Sequence, residues 1–344
     1  MTKLGQHTWH ELCSQPGAWR DALAVVMAQA ARLGAHTALT QASHIIWSGC
    51  GSPYFLALAM ARITQQVESR PTYAVPASEL WLNPAASIPR NARPTLILLS
   101  RSGKTTEVLK AASQFRTVAP HGQIITVSCY ADRPLATIGD INIVLPSGQE
   151  ESIAQTRAFT VMQMGALALI WLMSGRNVGE LAALGDACAD VITRYQAQCI
   201  AIGSNADYER FYFLGSGYRY GLASEASLKM KEMSLSTSEP FHHMEFRHGP
   251  QSMVNEQTLV ISVGSQVLNT YEQAVLADMR ALGGHTLSIG PTSDCDMHWH
   301  STLDDLLQGI IALPLLQSIA FTRATSRGLD PDNPHNLNAV VVLS

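Results

Sequence analysis

Short apolar runs rich in β-branched residues recur along the first half of the chain, at residues 44–48, 95–100, 123–128 and 141–145, separated by longer stretches that fit helices. A strand buried on both faces reads as a continuous apolar run, and strands that alternate with helices pair in parallel. This rhythm therefore predicts an open α/β sheet. The same order returns in the second half, at 211–214, 258–263 and 285–289. Gly49-Cys50-Gly51 and Gly215-Ser216-Gly217 lie 166 residues apart, the runs opening at Thr95 and Thr258 lie 163 apart, and those opening at Gln123 and His285 lie 162 apart. A near-constant offset over three strands marks an internal duplication. Between the halves, residues 176–200 are expected to form one long, mostly apolar helix, and small and polar residues place the boundary within 201–207. The expected organisation is a first α/β domain over 20–200 and a second over 201–344, each a doubly wound parallel sheet flanked by helices.

Composition narrows the function classes. With 344 residues, 47% of them hydrophobic and 15% charged, the chain can bury two large cores. A net charge of −4 with scattered positive residues supplies no basic field for a nucleic acid backbone. Residues 1–19 lack a basic start followed by an apolar segment, and the apolar stretch 161–173 is too short to span a bilayer, so neither export nor membrane insertion is expected. The six cysteines show no close CxxC pairing and mostly sit in apolar runs, as free thiols in a reducing compartment do, which makes the cytoplasm the expected location.

Three loops of the first half sit just after strands, where open α/β sheets bind ligands. The richest is Ser100-Arg101-Ser102-Gly103-Lys104-Thr105, which leads from an apolar strand into a helix. Backbone N–H groups at that helix start, with the hydroxyls of Ser100, Ser102 and Thr105, make a nest for a phosphate. The spacing is not that of a P-loop, so no nucleotide is implied. A turn that merely caps its helix would have a similar composition. The companion loop of the second half, Ser262-Val263-Gly264-Ser265-Gln266, lacks this hydroxyl density, which assigns the phosphate site to the first half alone. Gly49-Cys50-Gly51-Ser52 offers small residues where backbone can approach a sugar, although such turns are common. The polar segment 150–157 opens the helix of 158–173 and reads equally well as a helix cap.

The second half carries charged chemistry instead. Glu225, Lys229 and Glu232 lie four and three residues apart in an expected helix over 218–236, so they share one face. On spacing alone the commoner meaning is a solvated face with ordinary salt bridges. Sixteen positions past Glu232, beyond a Ser/Thr- and His-rich segment expected to be a turn, stands His248 in Arg247-His248-Gly249-Pro250. The run from His242 to His248 lacks the HExxH order and suits a polar active-site segment, and Asp294-Cys295-Asp296-Met297-His298-Trp299-His300 reads equally well as a surface turn, so no metal is expected.

Taken in order, Gly49-Cys50-Gly51-Ser52, Ser100-Arg101-Ser102-Gly103-Lys104-Thr105, Thr156-Arg157-Ala158-Phe159-Thr160, the segment from Glu225 to Glu232, and Arg247-His248-Gly249-Pro250 resemble the sugar isomerase (SIS) family. Within it they are most similar to the isomerase half of glucosamine-6-phosphate synthase and to phosphosugar deglycases and deaminases. The resemblance implies two tandem SIS subdomains, each a five-stranded parallel sheet, in a homodimer with active sites near the subunit interface. It implies phosphate binding by Ser100, Arg101, Ser102 and Thr105, with Ser52 beside the sugar. Glu232 takes the position of the acid/base that moves a proton between adjacent sugar carbons, Lys229 that of an active-site lysine, and His248 that of a histidine supplied by the neighbouring subunit. A carboxylate near two adjacent carbons with a second proton carrier suits enolisation and amine departure, and no cofactor is required.

Two departures bear on the reaction. Ala339 stands where the synthase has a lysine able to form a Schiff base, and Arg101 replaces the synthase glutamine. The chain also carries no segment resembling the synthase glutaminase domain. The expected activity is deglycase or deaminase chemistry on a 6-phosphorylated amino sugar or sugar-amino acid conjugate. The alternatives are a ketose/aldose phosphate isomerase, an isomerase of the synthase type, or a phosphosugar-binding regulator without turnover.

Overall fold

A computed structural model of the chain describes residues 4–34, 41–89, 92–341 and 343. The chain forms two five-stranded parallel sheets. The first runs in the order β2-β1-β3-β4-β5, from β1 (Ile45–Gly49), β2 (Thr72–Pro76), β3 (Thr95–Ser100), β4 (Gln123–Ser128) and β5 (Ile141–Val144). The second runs β10-β9-β8-β6-β7, from β6 (Arg210–Gly215), β7 (Thr237–Phe241), β8 (Thr258–Val263), β9 (His285–Gly290) and β10 (Met297–His298). The duplicated rhythm thus gives two α/β sheets of the same connectivity, with β1 matched by β6 and β3 by β8.

Each compact unit is assembled from three segments of the chain. One comprises Gly17–Glu150, Arg157–Ala182 and Asn338–Ser344; the other comprises Met1–Pro16, Glu151–Thr156 and Ala183–Leu337. The expected boundary at 200/201 falls inside a helix, Ala183–Ser204, which belongs entirely to the second unit. The expected helix over 176–200 is in fact a 3-10 turn, Val178–Ala182, followed by this helix.

In the first unit every residue of β1 and β3 is buried, as continuous apolar runs require. Leu96 and Leu98 of β3 pack with Val108, Ala111 and Phe115 of the helix Thr106–Val118. The helix Ser52–Val67 packs on β1 and β2 and against the helix Arg157–Met173, whose residues 158–171 are all buried. Trp19 is held there by a hydrogen bond from its Nε1 to Thr160 Oγ1 at 2.9 Å. The chain turns tightly from β1 into its helix: a Cβ on Gly49 would lie 2.7 Å from the Pro53 carbonyl carbon. Gly215, at the matching position after β6, is as restricted, with the Arg219 carbonyl oxygen 2.2 Å from where its Cβ would stand.

In the second unit the helix Leu313–Ser326 packs against both Ala183–Ser204 and Arg219–Ser234. Tyr212, Leu214, Val260, Val275 and Met279 form the core between the sheet and the helix Asn269–Ala281. The N-terminal helix Gln6–Cys13 joins this unit through polar groups. Asp332 accepts from the Thr8 N–H and hydroxyl, each at 2.7 Å, and buried Glu11 accepts from the Glu151 N–H at 2.6 Å and from the Ser152 hydroxyl. The Ser/Thr- and His-rich segment expected to be a turn contains β7. A half-exposed edge strand with Pro240 in it shows no apolar alternation, so its pattern hides it.

Candidate active site

Each sheet has a topological switch point, where the connections leave in opposite directions and open a crevice at the carboxyl ends of two adjacent strands. In the first sheet this point lies between β1 and β3, and in the second between β6 and β8. The Ser52 turn and the 100–105 loop follow β1 and β3 directly, so the order of the strands alone brings these two loops to one edge of the sheet.

The loop after β3 is organised around its hydroxyls. Ser100 Oγ lies 3.3 Å from Thr105 Oγ1, and Ser102 Oγ lies 3.4 Å from the same atom. The two serines also accept backbone N–H groups, Ser100 from Gly103 at 3.2 Å and Ser102 from Lys104 at 3.4 Å. Gly103 turns the chain with φ of 65°, and a Cβ there would meet Arg133 Cβ at 2.9 Å. Three hydroxyls thus converge just ahead of the helix Thr106–Val118, whose N-terminal dipole favours an anion. Ser52 is the first residue of its helix, past Gly51, and is buried. Burial, with a smaller contribution from Glu107, pushes the neighbouring Cys50 thiol up to about 12, so it stays protonated.

Arg101 is placed differently from the three hydroxyl residues. Its guanidinium is buried, donates to Glu150 Oε2 at 3.1 Å and to the Ala339 carbonyl at 3.1 Å, and so binds the C-terminal tail to the loop. The tail continues along the helix start, where the Leu343 N–H donates to Thr106 Oγ1 at 3.1 Å. Glu150 is itself fixed, its Oε1 accepting the Ala158 N–H at 3.0 Å.

In the second unit the helix Arg219–Ser234 buries twelve of its sixteen residues, which removes the solvated-face reading of its charges. Glu225 and Lys229 are 0% and 1% exposed in their side chains, and Lys229 Nζ lies 3.4 Å from Glu225 Oε1. The same ammonium pairs with Glu232, whose side chain is 19% exposed. Glu225 therefore holds Lys229, and Lys229 holds Glu232, the one of the two carboxylates that solvent reaches. His248 is exposed one residue before Gly249, and among the described residues no hydrogen bond or ion pair to its ring is seen.

The sequence did not reveal the polar network at the second switch point. His243 bridges the two strand ends, with Nδ1 2.9 Å from Ser216 Oγ and Nε2 2.8 Å from Ser262 Oγ. Burial pushes this imidazole down to about 3, with Arg219 and His242 adding to the effect, so it is neutral in the folded protein. Glu272, 3.7 Å away, is raised by burial, against the Ser265 N–H that it accepts at 2.7 Å. Arg219 makes a bidentate pair with Asp305 at 2.9 and 2.8 Å. Ser216 was legible as the counterpart of Cys50; Asp305, 86 residues from Arg219, carried no local signal.

A model of the SIS domain matches residues 38–172 and 206–301, about two thirds of the chain. The chain belongs to the SIS domain family. It is 27% identical over 247 residues to a glutamine–fructose-6-phosphate aminotransferase (isomerizing) from Sulfurisphaera tokodaii, covering 71% of this chain but only 42% of that protein. It is 26% identical over 353 residues to AgaS of Streptomyces coelicolor, a D-galactosamine-6-phosphate deaminase candidate, covering 95% of this chain and 91% of that one. Among solved structures, a glucosamine-6-phosphate deaminase from Thermotoga maritima superposes with a TM-score of 0.78 at 26% identity, over 94% of this chain and all of the other. The two parallel sheets with their flanking helices are the tandem SIS subdomains of this SIS chain.

Proposed function

We propose that this SIS protein is an enzyme that removes the amine from a 6-phosphorylated amino sugar or sugar-amino acid conjugate. Ser100, Ser102 and Thr105 bind the phosphate, Ser52 stands beside the sugar, and Glu232 is the proton carrier. The observation that carries this reading is the Glu225–Lys229–Glu232 relay, in which two buried charges hold a third that is partly exposed. Glu232 takes a proton from the amine-bearing carbon beside the carbonyl and returns it to the carbonyl carbon, while the proton that nitrogen loses ends on the carbonyl oxygen; the imine so formed is hydrolysed by water, releasing amine and sugar phosphate. Arg101, given to the phosphate by resemblance, acts instead as the clasp for the tail, because its donors are taken by Glu150 and Ala339.

The near full-length match to the AgaS relative and the likeness to the Thermotoga deaminase support amine release. Ala339 at the position of the synthase lysine speaks against synthase-type handling of a ketose through a Schiff base. We take the protein to be a cytoplasmic homodimer in which His248 serves the neighbouring subunit, a role its exposure permits.

The test is a panel of 6-phosphorylated fructosamines, hexosamines and ketoses, assayed for released amine and for ketose/aldose conversion. Amine release that Glu232→Gln abolishes is the expected result. Conversion of ketose to aldose without amine release would assign the isomerase reaction instead, and saturable binding with no product would make the chain a regulator. Mixing Glu232→Gln and His248→Ala homodimers addresses the dimer: subunit exchange should restore about a quarter of wild-type activity if His248 acts across the interface.

A further inference from the structure

The two halves can be superimposed in sequence at their third strands. Shifting β3 and its helix Thr106–Val118 by 163 residues gives β8 and the helix Asn269–Ala281 residue for residue, and this shift lays Ser265 on Ser102. The loop after β8 is therefore the counterpart of the phosphate loop, and it is already filled. Asp305 Oδ1 accepts the Gln266 N–H at 3.0 Å, and Oδ2 accepts the Ser265 hydroxyl at 3.2 Å. Ser265 Oγ in turn accepts the N–H groups of Val267 and Leu268 at 3.1 and 3.3 Å. From the other side the buried Arg219 side chain grips both oxygens of the same carboxylate and also donates to the Asp305 carbonyl at 3.1 Å. Its Nε is buried without a hydrogen-bond partner among the described residues.

A backbone N–H, a serine hydroxyl and a buried guanidinium converging on one point form the donor set that takes a phosphate or sulfate. We propose that the loop 264–268 is a second anion site whose ligand is built into the chain: Asp305 occupies it. The second half has kept the nest and turned it inward, so that it ties the segment after β10 to the switch point and admits no phosphorylated ligand while Asp305 is in place. This holds whether or not the first half acts on a phosphosugar.

The experiment removes the occupant and offers inorganic phosphate. Asp305→Ala is made in a Ser102→Ala/Thr105→Val background, which disables the loop of the first half, and phosphate binding is read by calorimetry and by the shift in melting midpoint at constant ionic strength. The expected result is one additional phosphate per chain and a saturable rise in midpoint that the background protein does not show. No phosphate response from Asp305→Ala in that background overturns the proposal. Should Asp305→Ala fold only when phosphate is present, recovery in phosphate but not in chloride is the same positive result. Asp305→Asn keeps the size and one acceptor but removes the charge; a midpoint equal to wild type would show that the nest is not holding an anion and would also overturn it.

Discussion

The loops after β3 and β8 start from the same frame and end in opposite uses. Both follow a fully buried strand of six residues and precede a helix of thirteen, at the switch point of a five-stranded sheet. In the first, three hydroxyls face one another ahead of the helix; in the second, the polar groups close on Glu272 and Asp305 from the same unit. The difference teaches that a duplicated fold preserves a binding geometry more readily than a binding function. A nest needs only backbone and a few small residues, while its occupant is settled by a carboxylate arriving from far along the chain.

The largest expected effect tests whether chemistry belongs to the second unit. Glu232→Gln should lower turnover by about 10²- to 10⁴-fold with little change in the melting midpoint, because the residue is accessible and neutral glutamine fits the same place. Lys229→Met should act on stability as well: it leaves Glu225 buried without its counter-charge, at a cost of about 3–5 kcal/mol in urea unfolding. Equal stability of this variant and wild type would show the relay to be dispensable.

The network at the second switch point predicts a pH dependence. The His243 imidazole titrates at about 3 folded and near its ordinary value of 6.5 unfolded, so the unfolded chain binds the extra proton between those limits. The stability from the neutral ring is therefore complete above 6.5 and is lost as pH falls toward 3, by up to roughly 1.4 kcal/mol per pH unit. His243→Gln should flatten that limb in unfolding measured from pH 7 to pH 4. The smallest effect contrasts the loops directly. Thr105→Val should raise KM about tenfold, roughly 1.4 kcal/mol of phosphate binding, whereas Ser265→Ala should leave KM unchanged and lower only the melting midpoint. A KM that responds equally to both would break the comparison.

Much of the frame was legible because buried parallel strands write themselves as apolar runs, and the offset between Thr95 and Thr258 carried the duplication. The edge strand β7 was not, since its residues are half exposed and interrupted by Pro240. For the candidate site, the i, i+3 and i+4 spacing placed Lys229 between two glutamates, but spacing cannot report burial, and burial is what separates a relay from a solvated face. Arg101 was assigned to the phosphate by its position in the motif, and spacing gave no sign of its contacts with Glu150 and Ala339, 49 and 238 residues away. His243 and Asp305 were missed for the same reason, because long-range pairs between polar residues leave no periodicity.

The Thr8 and Asp332 pair has a consequence for the order in which the molecule can be completed. These residues are 324 apart, and both belong to the unit that holds Lys229 and Glu232. On a ribosome adding roughly 5–20 residues per second, the helix Gln6–Cys13 waits on the order of tens of seconds for its acceptor. The sheet of the first unit has all five of its strands once Val144 has emerged, long before that moment. The helix Gln6–Cys13, made early, is thus among the last pieces of its own unit to be seated.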